Sequence, residues 1–492
     1  MSTEQHGTHT IESELDEAMA LGRGPSRDWT AAIARIRGLY ERCLAGLGPD
    51  HSDTLRCQVS LVDRLGWEGA DKAQTAAELE DIAAHAVAAL GPDHPVTVFA
   101  IHKSAVHVDR AGQRARAIEL LRSLIGRLHV YEEGDKQPIV TRGTLGTILL
   151  EGGQFAESAT ILTDVVRLST QHLGPSDSTT LFYRSTHADA VGNSGDPARA
   201  VALYRELLAD VTDESARLRH LEQLAHWAGE SDDPQTLILH RELVTQFLRR
   251  HGPDDEGTIH AQRNLGAILL RTDELEEATV LARDCVARST NLLGPDDLLT
   301  LRSRWLLACL LERAEDYRAA AEEFERLFEA MVRSGNETHF GVRTVQRNRA
   351  RCAGLAGHPR LAAKYYAELV EAGRKEVGSR DVDVLNDRIA LANYVSQSAD
   401  HPTAAQLYSD LIDDVAWVCG PDDRITLQVR QWHAIAIGNT GDPRRAANLL
   451  IGVRADQARA LGADDPDTGD TNARLVYWSQ VLPPNAFQQP WR

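Results

Sequence analysis

Apolar and small residues recur along this chain at helical spacing, in stretches that close on a Leu or another apolar residue and are cut by short polar breaks. One break returns almost unchanged. It reads Leu47-Gly48-Pro49-Asp50-His51-Ser52, then Leu90-Gly91-Pro92-Asp93-His94-Pro95, Leu173-Gly174-Pro175-Ser176-Asp177, His251-Gly252-Pro253-Asp254-Asp255, Leu293-Gly294-Pro295-Asp296-Asp297 and Cys419-Gly420-Pro421-Asp422-Asp423. A glycine after an apolar helix end supplies the left-handed residue that closes a helix, and the proline behind it cannot continue one. The Asp, Ser and Thr that follow accept hydrogen bonds from the first free N–H groups of the next helix, so each copy stops one helix and starts another. Weaker copies stand at Gly134, Gly335, Gly378 and Gly462. From Gly252 onward the intervals are 42, 41, 43, 42 and 42 residues, and the 78 residues from Gly174 to Gly252 leave room for two units. A fixed period of this length predicts a stacked array.

Each period carries a second break near its middle, such as Gly195-Asp196-Pro197, Gly357-His358-Pro359 or Gly441-Asp442-Pro443, which divides it into a helix A and a helix B. Antiparallel helices approach closely only where side chains are small. Small residues stand twelve apart across the break: Ala105 and Ala117, Gly146 and Ser158, Ala188 and Ala200, Gly266 and Ala278, Ala308 and Ala320, Ala350 and Ala362, Ala434 and Ala446. Ala225 with Leu237 and Asn393 with Ala405 are imperfect members at the same spacing. One turn beyond the helix B position an aromatic such as Tyr204, Phe324 or Tyr366 is placed to fill the space between units.

This pairing of small residues with a following aromatic resembles the signature of tetratricopeptide repeats, and Asn264-Leu265-Gly266 with Glu276-Glu277-Ala278 is similar to good family sequence. The usual unit is ~34 residues. The longer unit here, with its Leu-Gly-Pro-Asp-His loop, is similar to the repeats of kinesin light chains and of bacterial proteins that carry that subtype. The resemblance runs from Trp29 to Gly462. It implies an all-α fold, a right-handed α-solenoid of about ten or eleven antiparallel helix pairs whose A helices line a concave groove. Most positions equivalent to Asn264 hold other residues, among them Lys103, Thr144, Leu306 and Trp432, and only Asn348 matches. The family's use of such asparagines to hold a peptide backbone therefore does not carry over.

Residues 1–9 are expected to be disordered, 10–481 to form the solenoid with end units that cap it, and 482–492, opening on Pro483-Pro484, to be an extended tail. Hydrophobic residues make up 42% of the chain and aromatics only 5%, which favours helix over sheet. The net charge of −19 argues against nonspecific binding to nucleic acid or an anionic membrane. The start of the chain lacks the apolar run of a secretory signal, and no membrane-length apolar stretch occurs, so a cytoplasmic protein is expected. Six scattered cysteines without CxxC spacing are expected to be small buried residues.

No phosphate-binding loop, zinc-protease motif, nucleophile elbow or dinucleotide fingerprint is present, and no catalytic residue, cofactor or metal is assigned. His260 and Asp189, the nearest approach to a catalytic pair on the A helices, lie units apart. His51 and His94 are turn residues at the loops. The groove positions of three successive units carry Arg263, Arg302, Arg347 and Arg351, with Asn264, Trp305, Asn348 and Tyr394 in register beside them. In an acidic protein this local positive patch suits recognition of a carboxylate or phosphate; alternatively, the arginines pair with Asp and Glu of neighbouring helices. The expected function is a noncatalytic scaffold or adaptor holding a peptide segment or partner protein, with an acidic motif as the ligand and the chain itself a monomer or small oligomer. The competing reading is a ligand-responsive regulatory module that controls a partner NTPase or transcription factor.

Overall fold

The computed structural model describes residues 4–21, 28–132, 135–335 and 341–481. Among them there are 23 α-helices, one turn of 3-10 helix at Leu128–Val130 and no strand. The chain opens with α1 (Glu4–Leu21), α2 (Trp29–Leu47), α3 (Ser52–Glu68), α4 (Lys72–Leu90), α5 (Pro95–Arg110) and α6 (Arg114–Ile125). It continues through α7 (Lys136–Glu151), α8 (Phe155–Leu173), α9 (Ser178–Asn193), α10 (Pro197–Asp210), α11 (Glu214–Glu230) and α12 (Thr236–His251). Then come α13 (Glu256–Arg271), α14 (Leu275–Leu293), α15 (Leu298–Arg313), α16 (Tyr317–Ser334), α17 (Val342–Leu355) and α18 (Pro359–Glu376). The last are α19 (Val382–Gln397), α20 (His401–Cys419), α21 (Arg424–Asn439), α22 (Pro443–Ala460) and α23 (Pro466–Val481). These helices form two compact units, Met1–Leu239 and His240–Arg492, with the boundary inside α12.

In the first unit α1 lies against α2 and α3. Its Leu15 and Ala18 bury with Ile33, Ile36 and Leu39, and Glu17 accepts a hydrogen bond from Arg35 at 2.8 Å. The helix runs back from that anchor to Glu4, so it takes in residues 4–9, which the sequence suggested were disordered. Residues 1–3 and the expected tail, 482–492, lie outside the described residues. From α3 onward A and B helices alternate. In the second unit α13 to α22 make five such pairs, and α23 closes on the last of them by packing Trp478 against Ala434, Ala446 and Leu450.

The recurrent loops have the geometry expected of them. Gly48, Gly91, Gly174, Gly252, Gly294 and Gly420 all have φ between 82° and 106°, where a side chain would be strained. The next helix is then capped: Asp297 Oδ1 accepts from Leu299 N and Asp423 Oδ1 from Ile425 N, both at 2.8 Å. At the first two loops a histidine does the same work, His51 Nδ1 accepting from Asp53 N and His94 Nδ1 from Val96 N at 3.2 Å each.

The mid-unit turn fixes the register of each pair. Seven residues after the small position of helix A the backbone enters the left-handed region, at Gly112, Gly153, Gly195, Asp232, Asp273, Glu315, Gly357, Ala399 and Gly441. The seven regular pairs keep both members buried, and in one of them Ser158 Oγ donates to Gly146 O at 2.6 Å. Of the two imperfect members, one is corrected by one residue. The turn at Ala399 makes Ala392 and Ala404 the pair, both 0% exposed, in place of Asn393 and Ala405. The turn at Asp232 keeps Ala225, but on helix B the buried residue is Thr236, whose Oγ1 donates to Ala228 O at 2.8 Å, while Leu237 is half-buried. With that correction the helix A positions of the second unit, Gly266, Ala308, Ala350, Ala392 and Ala434, stand 42 residues apart throughout.

Successive A helices are locked by aromatic rings seated on glycines. A Cβ placed on Gly143 would lie 2.2 Å from the Tyr183 ring, on Gly192 2.6 Å from Trp227, on Gly354 2.1 Å from Tyr394 and on Gly438 2.5 Å from Trp478. Of the cysteines, Cys43, Cys57, Cys285 and Cys352 are buried, Cys309 is half-buried and Cys419 is exposed, so the last departs from expectation. No described helix is long and apolar enough to cross a membrane.

Candidate functional site

The sequence placed its candidate residues on α13, α15, α17 and α19, all A helices of the second unit, and the structure divides them into two groups. The first group is electrically open. Arg263 lies three residues before Gly266 on α13, and its guanidinium donates to Asn264 Oδ1 at 2.6 Å, while Nε is buried without an acceptor. Asn264 in turn donates through Nδ2 to His260 Nδ1 at 3.3 Å, so this side chain is held within its own helix. Arg302 of α15 is half-buried and makes no hydrogen bond or ion pair with any described residue. The two arginines sense each other: burial and the Arg302 charge together lower the Arg263 pKa. Burial and the charges of Arg263 and Arg302 also push the His260 pKa down, which keeps that imidazole neutral. Trp305, one turn along from Arg302, stands edge-on to Phe324 with centroids 5.7 Å apart.

The second group is spent on structure. Arg347 donates to both carboxylate oxygens of Asp387, at 2.7 and 3.0 Å, and Asp387 is only 1% exposed. Arg343 approaches the same carboxylate at 3.7 Å. Arg351 is ion-paired to Glu312 and donates to Asn348 Oδ1 at 3.2 Å. Tyr394 stacks on Tyr366 with centroids 5.6 Å apart, fits over Gly354, and donates to Arg351 O at 3.5 Å. Arg347, Arg351, Asn348 and Tyr394 thus join α15, α17 and α19 to one another. Arg263 and Arg302 have no ion-pair partner among the described residues.

The residues that decide this division, Asp387 and Glu312, are not among the sequence candidates. Counted from Asn393, Asp387 falls six residues before the small position, the place that Asn386 holds once Ala392 is the small residue. Its signal lay in the spacing. Arg347 and Asp387 are 40 residues apart, which sets them side by side on neighbouring A helices of a 42-residue repeat.

Residues 257–331, which take in α14, α15 and most of α13 and α16 and with them both open arginines, match the family model described as tetratricopeptide repeat. Among solved structures the chain is similar to a kinesin light chain protein of nearly identical TPR-like repeats from Podosopora anserina, at 20% identity over 41% of this chain and 98% of that one, with a TM-score of 0.38. It is similar to BtubC (BKLC) from P. vanneervenii at 19% identity over 45% and 89%, TM-score 0.37. It is also similar to the apo form of the quorum sensor NprR from B. thuringiensis at 12% identity over 81% and 99%, TM-score 0.43. No curated protein matches the sequence. Residues 257–331 are thus tetratricopeptide repeat sequence, and the same loop, turn and small-residue pairing recur in the helices around them in units of 42 residues.

Proposed function

We propose that this chain is a noncatalytic interaction protein whose second unit holds an acidic peptide segment of a partner across the A helices α13 and α15. The observation that carries this reading is the pair Arg263 and Arg302, close enough to lower the pKa of the first, with no carboxylate beside them. In a chain of net charge −19 an uncompensated cationic pair is a local exception. Guanidinium groups present planar N–H pairs that match a carboxylate or phosphate, and the Trp305 ring offers apolar area one turn away.

The test is a peptide array of acidic, neutral and basic sequences, probed with wild type and with the Arg263→Ala/Arg302→Ala variant at about 0.05 and about 0.5 M salt, since charge-led binding weakens with screening. Acidic peptides retained by wild type, lost by the variant and weakened at high salt support the reading. Retention that ignores peptide charge, or that survives loss of both arginines, defeats it.

A further inference from the structure

The first unit contains a cavity of about 820 Å³, walled by α1 and by the A helices α3, α5 and α7. That volume falls in the range of small-molecule sites, and the cavity shares no residue with the arginine face of the second unit. Its apolar wall is made by Leu15 and Met19 of α1, Val96 and Phe99 of α5, and Val140 of α7.

Its polar groups are mostly donors. His102 is 5% exposed, and burial, helped by the adjacent Lys103 charge, pushes its pKa down to about 3, so the ring is neutral. The tautomer follows from its neighbours. Gln137 Nε2 donates to Thr141 Oγ1 at 3.2 Å, and the Thr141 hydroxyl lies 3.4 Å from His102 Nδ1. His102 Nε2 has no partner among the described residues, so the neutral ring can carry its proton there while Nδ1 takes the Thr141 hydroxyl proton, and a carboxylate at Nε2 selects that tautomer. Lys103 gives one N–H to Asp63 at 3.0 Å and keeps two. Lys136 is exposed at the cavity and has no ion-pair partner among the described residues.

The charges limit what this site can hold. Asp63 lies beneath Lys103 and offsets it, and Glu12 on α1 is paired to Arg56 at 2.8 Å. Asp16 of α1 is exposed to solvent. Among the described residues Lys136 is the cavity's one cation without an ion-pair partner, and with the Asp16 carboxylate also on the lining the site suits a single negative charge and not a polyanion. We propose that this cavity binds a small monocarboxylic acid with an apolar body, the carboxylate on His102 Nε2, Lys103 and Lys136 and the body against Phe99, Val140 and α1. The site is separate from the peptide face, and neither depends on the other.

The experiment titrates the full chain with phenylpropionate and octanoate, each beside its uncharged amide, by isothermal calorimetry and ligand-observed NMR. The acids are expected to bind saturably and the amides about tenfold or more weakly, the difference a charge-assisted hydrogen bond makes. Lys136→Met, at an exposed position, is expected to weaken acid binding by about tenfold. Val140→Trp fills the cavity and should abolish binding, with far-UV circular dichroism reporting that the helices persist; Arg263→Ala should leave it unchanged. No saturable binding of either acid, equal binding of acid and amide, or full affinity in Lys136→Met overturns the proposal.

Discussion

Removing the charge of Asp63 should expose how strongly the first unit depends on one buried cluster. Asp63 is 1% exposed and accepts from Lys103 Nζ at 3.0 Å, His107 Nε2 at 3.1 Å and Trp67 Nε1 at 3.2 Å, tying α3 to α5. Burial alone would raise this carboxyl, but the Lys103 charge and the hydrogen bonds from His107 and Lys103 outweigh it and hold the group far below the usual carboxylate range. Breaking a buried ion pair by removing one partner costs roughly 3–5 kcal/mol. The Lys103 side chain is 23% exposed and can turn partly to water, which brings the expected loss for Asp63→Asn to about 2–3 kcal/mol. Lys103→Met should cost a similar amount, and the double variant less than the sum, with a coupling of about 1–3 kcal/mol. Urea unfolding followed by circular dichroism gives the three values, and hydrogen exchange shows whether the loss is confined to α3 and α5. The sign with pH is fixed: a depressed carboxyl stabilises fully above its unfolded value near ~3.9 and loses that contribution as pH falls towards the folded value. The gap between wild type and Asp63→Asn should therefore be flat from about pH 5 to 8 and narrow below about pH 4. A loss under about 0.5 kcal/mol, additive single variants, or a gap unchanged in acid would refute the reasoning.

Two further substitutions test the packing rules of the repeat. Gly354→Ala gains about 1 kcal/mol of helix propensity but drives a methyl group into the Tyr394 ring; overpacking costs about 1–3 kcal/mol, so the melting temperature should fall, and Gly354→Ala/Tyr394→Leu should recover most of it. Ala399→Gly relieves a non-glycine residue held at φ 65°; the left-handed penalty of about 1–2 kcal/mol, less the added freedom of glycine when unfolded, predicts a gain of about 0.5–1 kcal/mol in thermal unfolding.

The period and its breaks carried most of the fold. Gly-Pro-Asp loops, mid-unit turns and small residues twelve apart are local signals, and each helix they bound is where they put it. Register was less legible at Asn393, because Ala404 and Ala405 on helix B are both small and either could be the close contact. The turn at Ala399 decides between them through backbone geometry, and alanine gives no sign in sequence that it adopts a left-handed conformation. The site was half legible for a related reason. Which arginine faces the groove follows from helical spacing, but whether it is neutralised depends on the next A helix, about forty residues on, and a slip of one position turns that residue by about 100°. The cavity in the first unit is still less local, since it needs α1 to form one wall.

The repeat itself shows why Arg263 is open and Arg347 is not. A residue three before the helix A small position meets the residue five before it on the next A helix: His102 meets Thr141, and Arg347 meets Asp387. For Arg263 the same position is Ser303, which is 0% exposed and donates its hydroxyl to Leu299 O at 2.8 Å, leaving Arg263 Nε without an acceptor. A carboxylate there would copy the Arg347–Asp387 pair. Ser303→Asp is therefore expected to neutralise Arg263 without altering it and to weaken acidic peptides by about tenfold, with the melting temperature held or raised because the new charge is paired. Asp387→Ser should do the reverse, freeing Arg347 and extending the basic face by one unit at a cost in stability. If Ser303→Asp leaves binding of an acidic peptide intact while Arg263→Ala abolishes it, the contact rule between neighbouring A helices is wrong. If neither variant changes binding, the ligand does not lie across α13 and α15 at all.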